Sequence, residues 1–382
     1  METLLQQAVN GLVVGSVYAL IALGYTMVYG ILGLINFAHG DVLMVGALVA
    51  LEAIRLLQIY APELGLVPTL LAGLSVSVVV CMLLGYTIER TAYRRLRNAP
   101  RLAPLITAIG VSFLLQTIAM IIWGRNYHSF PELISTAPLE AVPGVFITPV
   151  QIAILAVSAV LMVVLVLLVN KTRLGRAMRA TAENHKVASL MGVDTNKIIA
   201  ATFIIGSALA AVAGVMFSSN YGTAHYAMGF IPGLKAFTAA VLGGIGNLGG
   251  AMLGGLVLGL VESIGAGYIE DLSFGFLNSS YQDIFAFIIL GIVLIFRPTG
   301  LLGERVADAV ARFGGSISAI LIHTPGTPAS AATAIEGYEL TKKGMAAKAL
   351  AVACFASFCG GLLSCISLYF FSPFLAELAM KF

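Results

Sequence analysis

The residues best placed to do chemistry are polar groups stranded in apolar surroundings. Asn36, His39 and Asp41, in the run Asn36-Phe37-Ala38-His39-Gly40-Asp41, interrupt an apolar stretch from Gly11 to Leu51. Such groups are costly in lipid and face a cavity or a partner, and a helix break there frees backbone groups that can contact a solute. An ordinary histidine titrates near neutral pH, so His39 could also be a proton acceptor. Three readings stay open for this segment: a polar hinge or short turn between spans, direct contact with a solute, and a proton relay. Thr107, Ser112, Gln116 and Thr117 form a second polar series at near-helical spacing. They read either as the lining of a path or as side chains bonded to their own helix. Glu262 is a carboxylate alone in an apolar run, for which an interfacial or packing role and a functional role both stand. None of this is catalytic machinery. The five histidines (His39, His128, His185, His225 and His323) fall in no HExxH or similar metal pattern, and neither a GxSxG element nor a GxxxxGK[ST] phosphate loop occurs. The sequence therefore offers no catalytic residue and no metal site, and any ATP hydrolysis belongs to a partner.

The elements that must hold these groups are membrane spans. Of 382 residues 59% are hydrophobic and 10% charged, against about a quarter charged in soluble domains. Apolar stretches recur at 11–35, 66–88, 103–123, 148–169, 198–219, 250–269, 282–296 and 347–371. Most reach the roughly 17–25 residues that cross the hydrocarbon as helix, and backbone pairing in lipid requires helices rather than isolated strands. The expected fold is an all-α polytopic membrane protein with about eight crossings, some of them broken or half-spanning, and one further C-terminal span. Eleven of the 21 basic residues crowd two short loops, Arg90 to Arg101 and Lys171 to Lys197. The positive-inside rule puts both in the cytoplasm; with apolar flanks they are not a nucleic-acid patch. The loop 124–147 then lies outside together with the N-terminus. The start METLLQQAVNGL lacks the basic region of a cleavable signal peptide. Cys81, Cys354, Cys359 and Cys365 sit in apolar runs at no zinc spacing.

Parity asks the stretch 231–281 to go in and come back, and its glycines favour two tightly packed or partly broken segments. Gly243, Gly244, Gly246, Gly249, Gly250, Gly254 and Gly255 form a small-residue seam, which reads as static packing or as a moving surface of a path. Between two spans, RATAENHKVASLMGVDTNK (Arg179 to Lys197) is polar. The stretch 180–191 suits one short amphipathic helix with Ala182, Val187, Leu190 and Met191 as apolar contacts, and Gly192 would end it.

These segments carry a resemblance. NGLVVGSVYALIALGYTMVYGILGLINFAHGD (Asn10–Asp41), LITAIGVSFLLQ (Leu105–Gln116), GRAMRATAENHKVASLMGVD (Gly175–Asp194), FTAAVLGGIGNLGGAMLGG (Phe237–Gly255) and RPTGLLGE (Arg297–Glu304) resemble, in order, the permease of branched-chain amino-acid ABC importers. The resemblance covers residues 1 to about 310, and within the pair of permeases such systems use this looks like the shorter one. It implies a second, related permease, two cytoplasmic ATPases that use ATP and Mg, a periplasmic amino-acid-binding protein, a bacterial inner-membrane location among lipid, and no cofactor bound by this chain. It also implies that Glu183, Asn184, Ala188 and Gly192 lie on the helix that docks into an ATPase groove. The solute, Leu, Ile or Val, rests on the resemblance alone.

From about residue 311 the pattern changes. PGTPASAAT (Pro325–Thr333) with GYELTKKG (Gly337–Gly344) resembles an interior piece of the large membrane subunit of tripartite tricarboxylate transporters. In that family the segment of Pro325, Gly326, Thr327 and Pro328 would be a broken-helix element. Only one convincing span follows, so residues 311–382 read as a fused fragment, joined near Asp308–Phe313, and not as a second pathway. A carrier driven by Na⁺ or H⁺ is the competing expectation for the whole chain; a non-transporting fusion product is another.

Overall fold

In the computed structural model the described residues are 2–97, 99, 102–272, 282–297 and 299–303. The chain divides into two units, Met1–Glu304 and Arg305–Phe382, and all described residues belong to the first. The tail motif Pro325, Gly326, Thr327 and Pro328 and the expected C-terminal span lie outside them.

Apolar runs too long for a soluble helix become the long helices α1 (Glu2–Leu32), α2 (His39–Tyr60) and α3 (Leu66–Ile88). A five-residue π-helix, Glu89–Tyr93, and a single turn α4 (Arg94–Leu96) extend α3 into the first basic loop. Then come α5 (Leu102–Trp123), three short strands β1 (His128–Ser129), β2 (Leu139–Val142) and β3 (Val145–Ile147), and α6 (Pro149–Lys171). Thr148 starts α6 with a capping box: its hydroxyl accepts from Gln151 N while the Gln151 side chain accepts from Thr148 N. The second basic region forms α7 (Arg173–Glu183) and α8 (His185–Leu190), followed by α9 (Thr195–Tyr221), β4 (Thr223–Ala224), α10 (Phe230–Gly243), α11 (Leu248–Leu272) and α12 (Asp283–Phe296). Among the described residues seven helices are long and apolar enough to cross a membrane, and α10 and α12 are shorter apolar helices. The fold is that of an all-α polytopic membrane protein, as the composition required.

α1 is the hub. Its middle, from Gly11 to Val28, is almost wholly buried against α9, α10 and α11, whereas α3, α5 and α6 expose Leu83, Ile121 and Val160. A central helix surrounded by outer helices with apolar outward faces is what lipid as solvent demands. α1 and α11 run antiparallel and almost touch along glycines. A methyl group on Gly11 would lie 2.7 Å from Leu260 Cα, and one on Gly255 would lie 2.5 Å from Ala19 Cα.

The two ends of the bundle sort as the charge pattern asked. Gln6 of α1 exchanges hydrogen bonds with Phe146 of the β2–β3 hairpin, Phe146 N donating at 2.7 Å, so the N-terminus and the 124–147 loop share one end. At the other end Arg97 donates to Asn196 Oδ1 at 2.6 Å, joining the two basic loops.

The glycine-rich stretch is a helical hairpin. α10 has 14 residues, about 21 Å of helix, too short to cross alone. Gly243, Gly250 and Gly254 let α10 and α11 meet backbone to backbone, Gly255 fits α1, and Gly244 abuts Gly303. Gly246 and Gly249 make no such close approach and stand outside the seam read from the sequence. The turn between the helices is covered by residues 299–303. Leu301 N donates to Leu242 O at 2.8 Å, Leu302 N to Gly243 O at 2.9 Å, and Asn247 Nδ2 to Leu302 O at 2.9 Å.

Candidate functional site

α1 stops at Leu32, Gly33 takes φ +63, and a coil carries the chain to α2, which begins at His39 with no side-chain cap. The polar run is therefore a true break in the helix. Asn36 is buried, and its Oδ1 accepts from Tyr93 Oη at 3.1 Å. Phe37 tilts on Phe237 of α10 at 5.8 Å. His39 fills the space left by Gly24 and Gly206, edge-on to Tyr25 at 4.9 Å. Its Nε2 is buried with no partner among the described residues.

Asp41, one turn into α2, is also buried. Gln116 Nε2 donates to its Oδ1 at 3.0 Å and also to Ser112 Oγ at 3.4 Å. The structure thus brings Asp41, Ser112 and Gln116 together from α2 and α5, whereas His39 packs on α1 and α9 and Asn36 meets Tyr93. Thr107 does not join them: its hydroxyl donates to Ala103 O at 2.9 Å within its own helix, as Thr117 does to Phe113 O at 2.8 Å. A carboxylate, an amide and a hydroxyl in one partly buried patch can exchange hydrogen bonds with a polar solute.

A second polar cluster was not foreseen. Glu262 is not alone: Lys235 Nζ of α10 lies 2.5 Å from its Oε1 and 2.6 Å from Asp283 Oδ1 of α12. Tyr18 of α1 donates to Glu262 Oε1 at 3.3 Å, and Lys235 Nζ donates to Tyr18 Oη at 3.2 Å. Lys235 and Glu262 are buried, and Glu262 Oε2 has no partner among the described residues. The signal that could have found it was a lysine in one apolar helix and a carboxylate in the next.

The polar segment of the second basic loop is not one helix, as the amphipathic spacing of 180–191 suggested. α7 ends at Glu183, and Asn184 breaks it with φ −157 and ψ 109. Asn184 then caps α8, its Oδ1 accepting from Lys186 N at 3.0 Å and Val187 N at 3.1 Å. The reason is local: an asparagine competes for backbone donors and prefers a cap to a helix interior. At the far end Val193 N donates to Ala188 O and Gly192 N to Ser189 O, both at 3.0 Å, with Gly192 at φ +86. That is the Schellman closure, which needs a left-handed residue and so a glycine. Ala188 points back into its own chain, whereas Val187 is 53%, Leu190 86% and Met191 80% exposed. Partial burial and the nearby Arg97 cation hold the His185 imidazole below its ordinary value.

Among the described residues no group of three His, Cys, Asp or Glu is disposed to hold a metal ion. Cys81 is a free buried thiol against Val42 O at 3.5 Å.

Comparison with known proteins places both parts of the sequence. Residues 7–294 match the family model described as branched-chain amino acid transport system / permease component. Residues 284–382 match the tripartite tricarboxylate transporter TctA family. The two matches overlap at 284–294, so the second begins upstream of the join read from the sequence. Over 310 residues the chain is 49% identical to the high-affinity branched-chain amino acid transport system permease protein BraD of Pseudomonas aeruginosa, covering 80% of this chain and 98% of that protein. The LivH permease of Escherichia coli, described in the same words, is 43% identical over 309 residues, covering 80% and 97%. An uncharacterized 52.8 kDa protein of Agrobacterium vitis is 47% identical over 72 residues, 19% of this chain and 14% of that protein. No solved structure matches.

Proposed function

Because the chain belongs to the permease component family of branched-chain amino-acid transport systems, we propose that it is the membrane subunit of an ATP-driven importer of leucine, isoleucine and valine, driven through the turn 184–192. In this reading two cytoplasmic ATPases use ATP and Mg, a second related permease completes the path, and a periplasmic binding protein delivers the solute. The chain itself binds no cofactor and sits, multi-pass, among the lipids of a bacterial inner membrane.

The observation that carries the docking assignment is the exposure of Val187, Leu190 and Met191 on a short helix locked at both ends. Large apolar side chains so exposed on a polar loop suit a partner's groove. Asn184 and Gly192 would hold the shape of this knob, Glu183 would stand at its edge, and Ala188 would anchor it to the chain. ATP-driven closure of the partners would move the knob and, through α7 and α9, the spans behind it. The solute would meet the polar groups Asn36, His39, Asp41, Ser112 and Gln116 at the break in the helix.

Leu190→Asp with Met191→Asp is expected to remove ATPase from the purified assembly. Losing apolar anchors of this kind costs about 2 kcal/mol or more, roughly thirtyfold in affinity. The check is co-purification of the ATPase with the full chain from membranes holding equal permease. Undiminished capture by the double variant would overturn the docking assignment.

The tail adds no second pathway in this reading, since its match covers only 14% of the 52.8 kDa relative. Removing residues 313–382 is expected to leave leucine uptake unchanged or higher, and uptake lost with the permease still present in the membrane would count against it.

A further inference from the structure

We propose that the π-helical turn Glu89–Tyr93 is a positioning element that couples the docking turn to the break in the membrane, with Glu89 and Tyr93 as its two ends. The inference rests on the reading of 184–192 as the ATPase seat. A π-turn carries one residue more than the α-helix it interrupts and recurs at functional sites. Here Arg94 N donates to the Glu89 carbonyl, the wider register that defines it.

At one end Glu89 is fully buried, and both its carboxylate oxygens are taken. Arg94 Nη2 holds Oε2 at 2.8 Å and Arg97 Nη2 holds Oε1. Arg97 Nη1 continues to Asn196 Oδ1 at 2.6 Å, in the first turn of α9 directly after the docking turn. At the other end the Tyr93 ring lies on Phe203 of α9 at 5.2 Å, and its hydroxyl donates to Asn36 Oδ1 at 3.1 Å. Polar contacts therefore run from Asn196 through Arg97 to Glu89 and from Tyr93 to Asn36, three residues before His39, and the backbone of the π-turn joins the two sets.

Packing alone gives no reason for these groups. A buried carboxylate ringed by arginines is no more stabilising than apolar residues of the same size. The Arg97 Nε is buried without a partner among the described residues, so the guanidinium keeps a donor free for a second arrangement. Coupling between sites needs such an element with two arrangements. A turn able to pass between π and α registers would rotate Tyr93 relative to Glu89 and draw Asn36 with it.

The test uses the complete assembly in proteoliposomes with binding protein and leucine, reading ATP hydrolysis and uptake together. Tyr93→Phe is expected to keep co-purified ATPase and hydrolysis within about twofold while uptake per ATP falls about tenfold, the size of an ordinary coupling free energy. Asn196→Ala, at the exposed end of the chain of contacts, is expected to do the same, and the two together to be no worse than either. Asn196→Ala also decides the matter where Tyr93→Phe lowers the membrane level of the protein. Unchanged uptake per ATP in both variants would overturn the proposal, as would a fall of assembly, hydrolysis and uptake in proportion, which is what a merely structural tyrosine gives. Absence of ATPase from the unmodified assembly overturns the docking reading and this inference together, and is seen before any variant is made.

Discussion

Lys235→Met is expected to destabilise the bundle by about 3–5 kcal/mol, the cost of stripping a buried charge of its partner. The lysine lies between Glu262 and Asp283, at 2.5 Å and 2.6 Å, and joins α10 to both later helices. Removing it leaves Glu262 buried with only the Tyr18 hydroxyl, within a bundle where an unpaired charge is expensive. The stranded carboxylate, rather than the absent lysine side chain, accounts for most of that cost. The triple variant Lys235→Met, Glu262→Gln, Asp283→Asn removes all three charges and is expected to recover most of the stability. Thermal unfolding of the purified protein in detergent distinguishes the cases. A single variant as stable as the parent would show that Lys235 is not an obligatory counter-charge.

The second large effect is expected at the α1–α11 seam. Gly255→Val would drive a branched side chain into the Ala19 backbone, where even a methyl would sit 2.5 Å from Cα and N. Overpacking typically costs about 1–3 kcal/mol, and here the obstacle is backbone, which cannot rotate away, so the top of that range is expected. The helices would have to separate, which also opens the adjacent contacts of Gly11 and Gly15 with Leu260 and Leu256. Gly110→Ala is the control: no atom lies within 4 Å of a methyl there, and φ is not positive, so stability is expected to hold or rise slightly. Comparing the folded fraction of the two variants after mild detergent extraction tests this. Equal recovery would mean that the seam yields.

The spans, the two basic loops and the glycine-rich hairpin were legible because each rests on a property of consecutive residues: apolar length, local charge, small side chains. What failed needed information from elsewhere in the chain. Glu262 looked solitary since its partners, Lys235 and Asp283, sit on neighbouring helices. Thr107 shared the helical spacing of Ser112 and Gln116, yet only the latter two face Asp41. The split at Asn184 was readable in principle, because asparagine is among the residues that most favour a helix N-cap over a helix interior. Amphipathic spacing across 180–191 outweighed it. The π-turn has no sequence signature at all, since ERTAY would fit an ordinary helix equally well.

The position of α1 bears on how the protein is made. It leaves the ribosome before α2 to α10, but the surface that completes it is α11, beginning at Leu248, together with α9 and α10. Throughout synthesis of α2 to α8, the newly inserted chain carries an unfinished groove of Gly11, Gly15 and Ala19 open to lipid or to other nascent helices. Surfaces that wait so long for their partner make folding slow and expose the intermediate to wrong pairings. Chains cut short before α11 would then be left with that groove uncovered, as targets for membrane quality control.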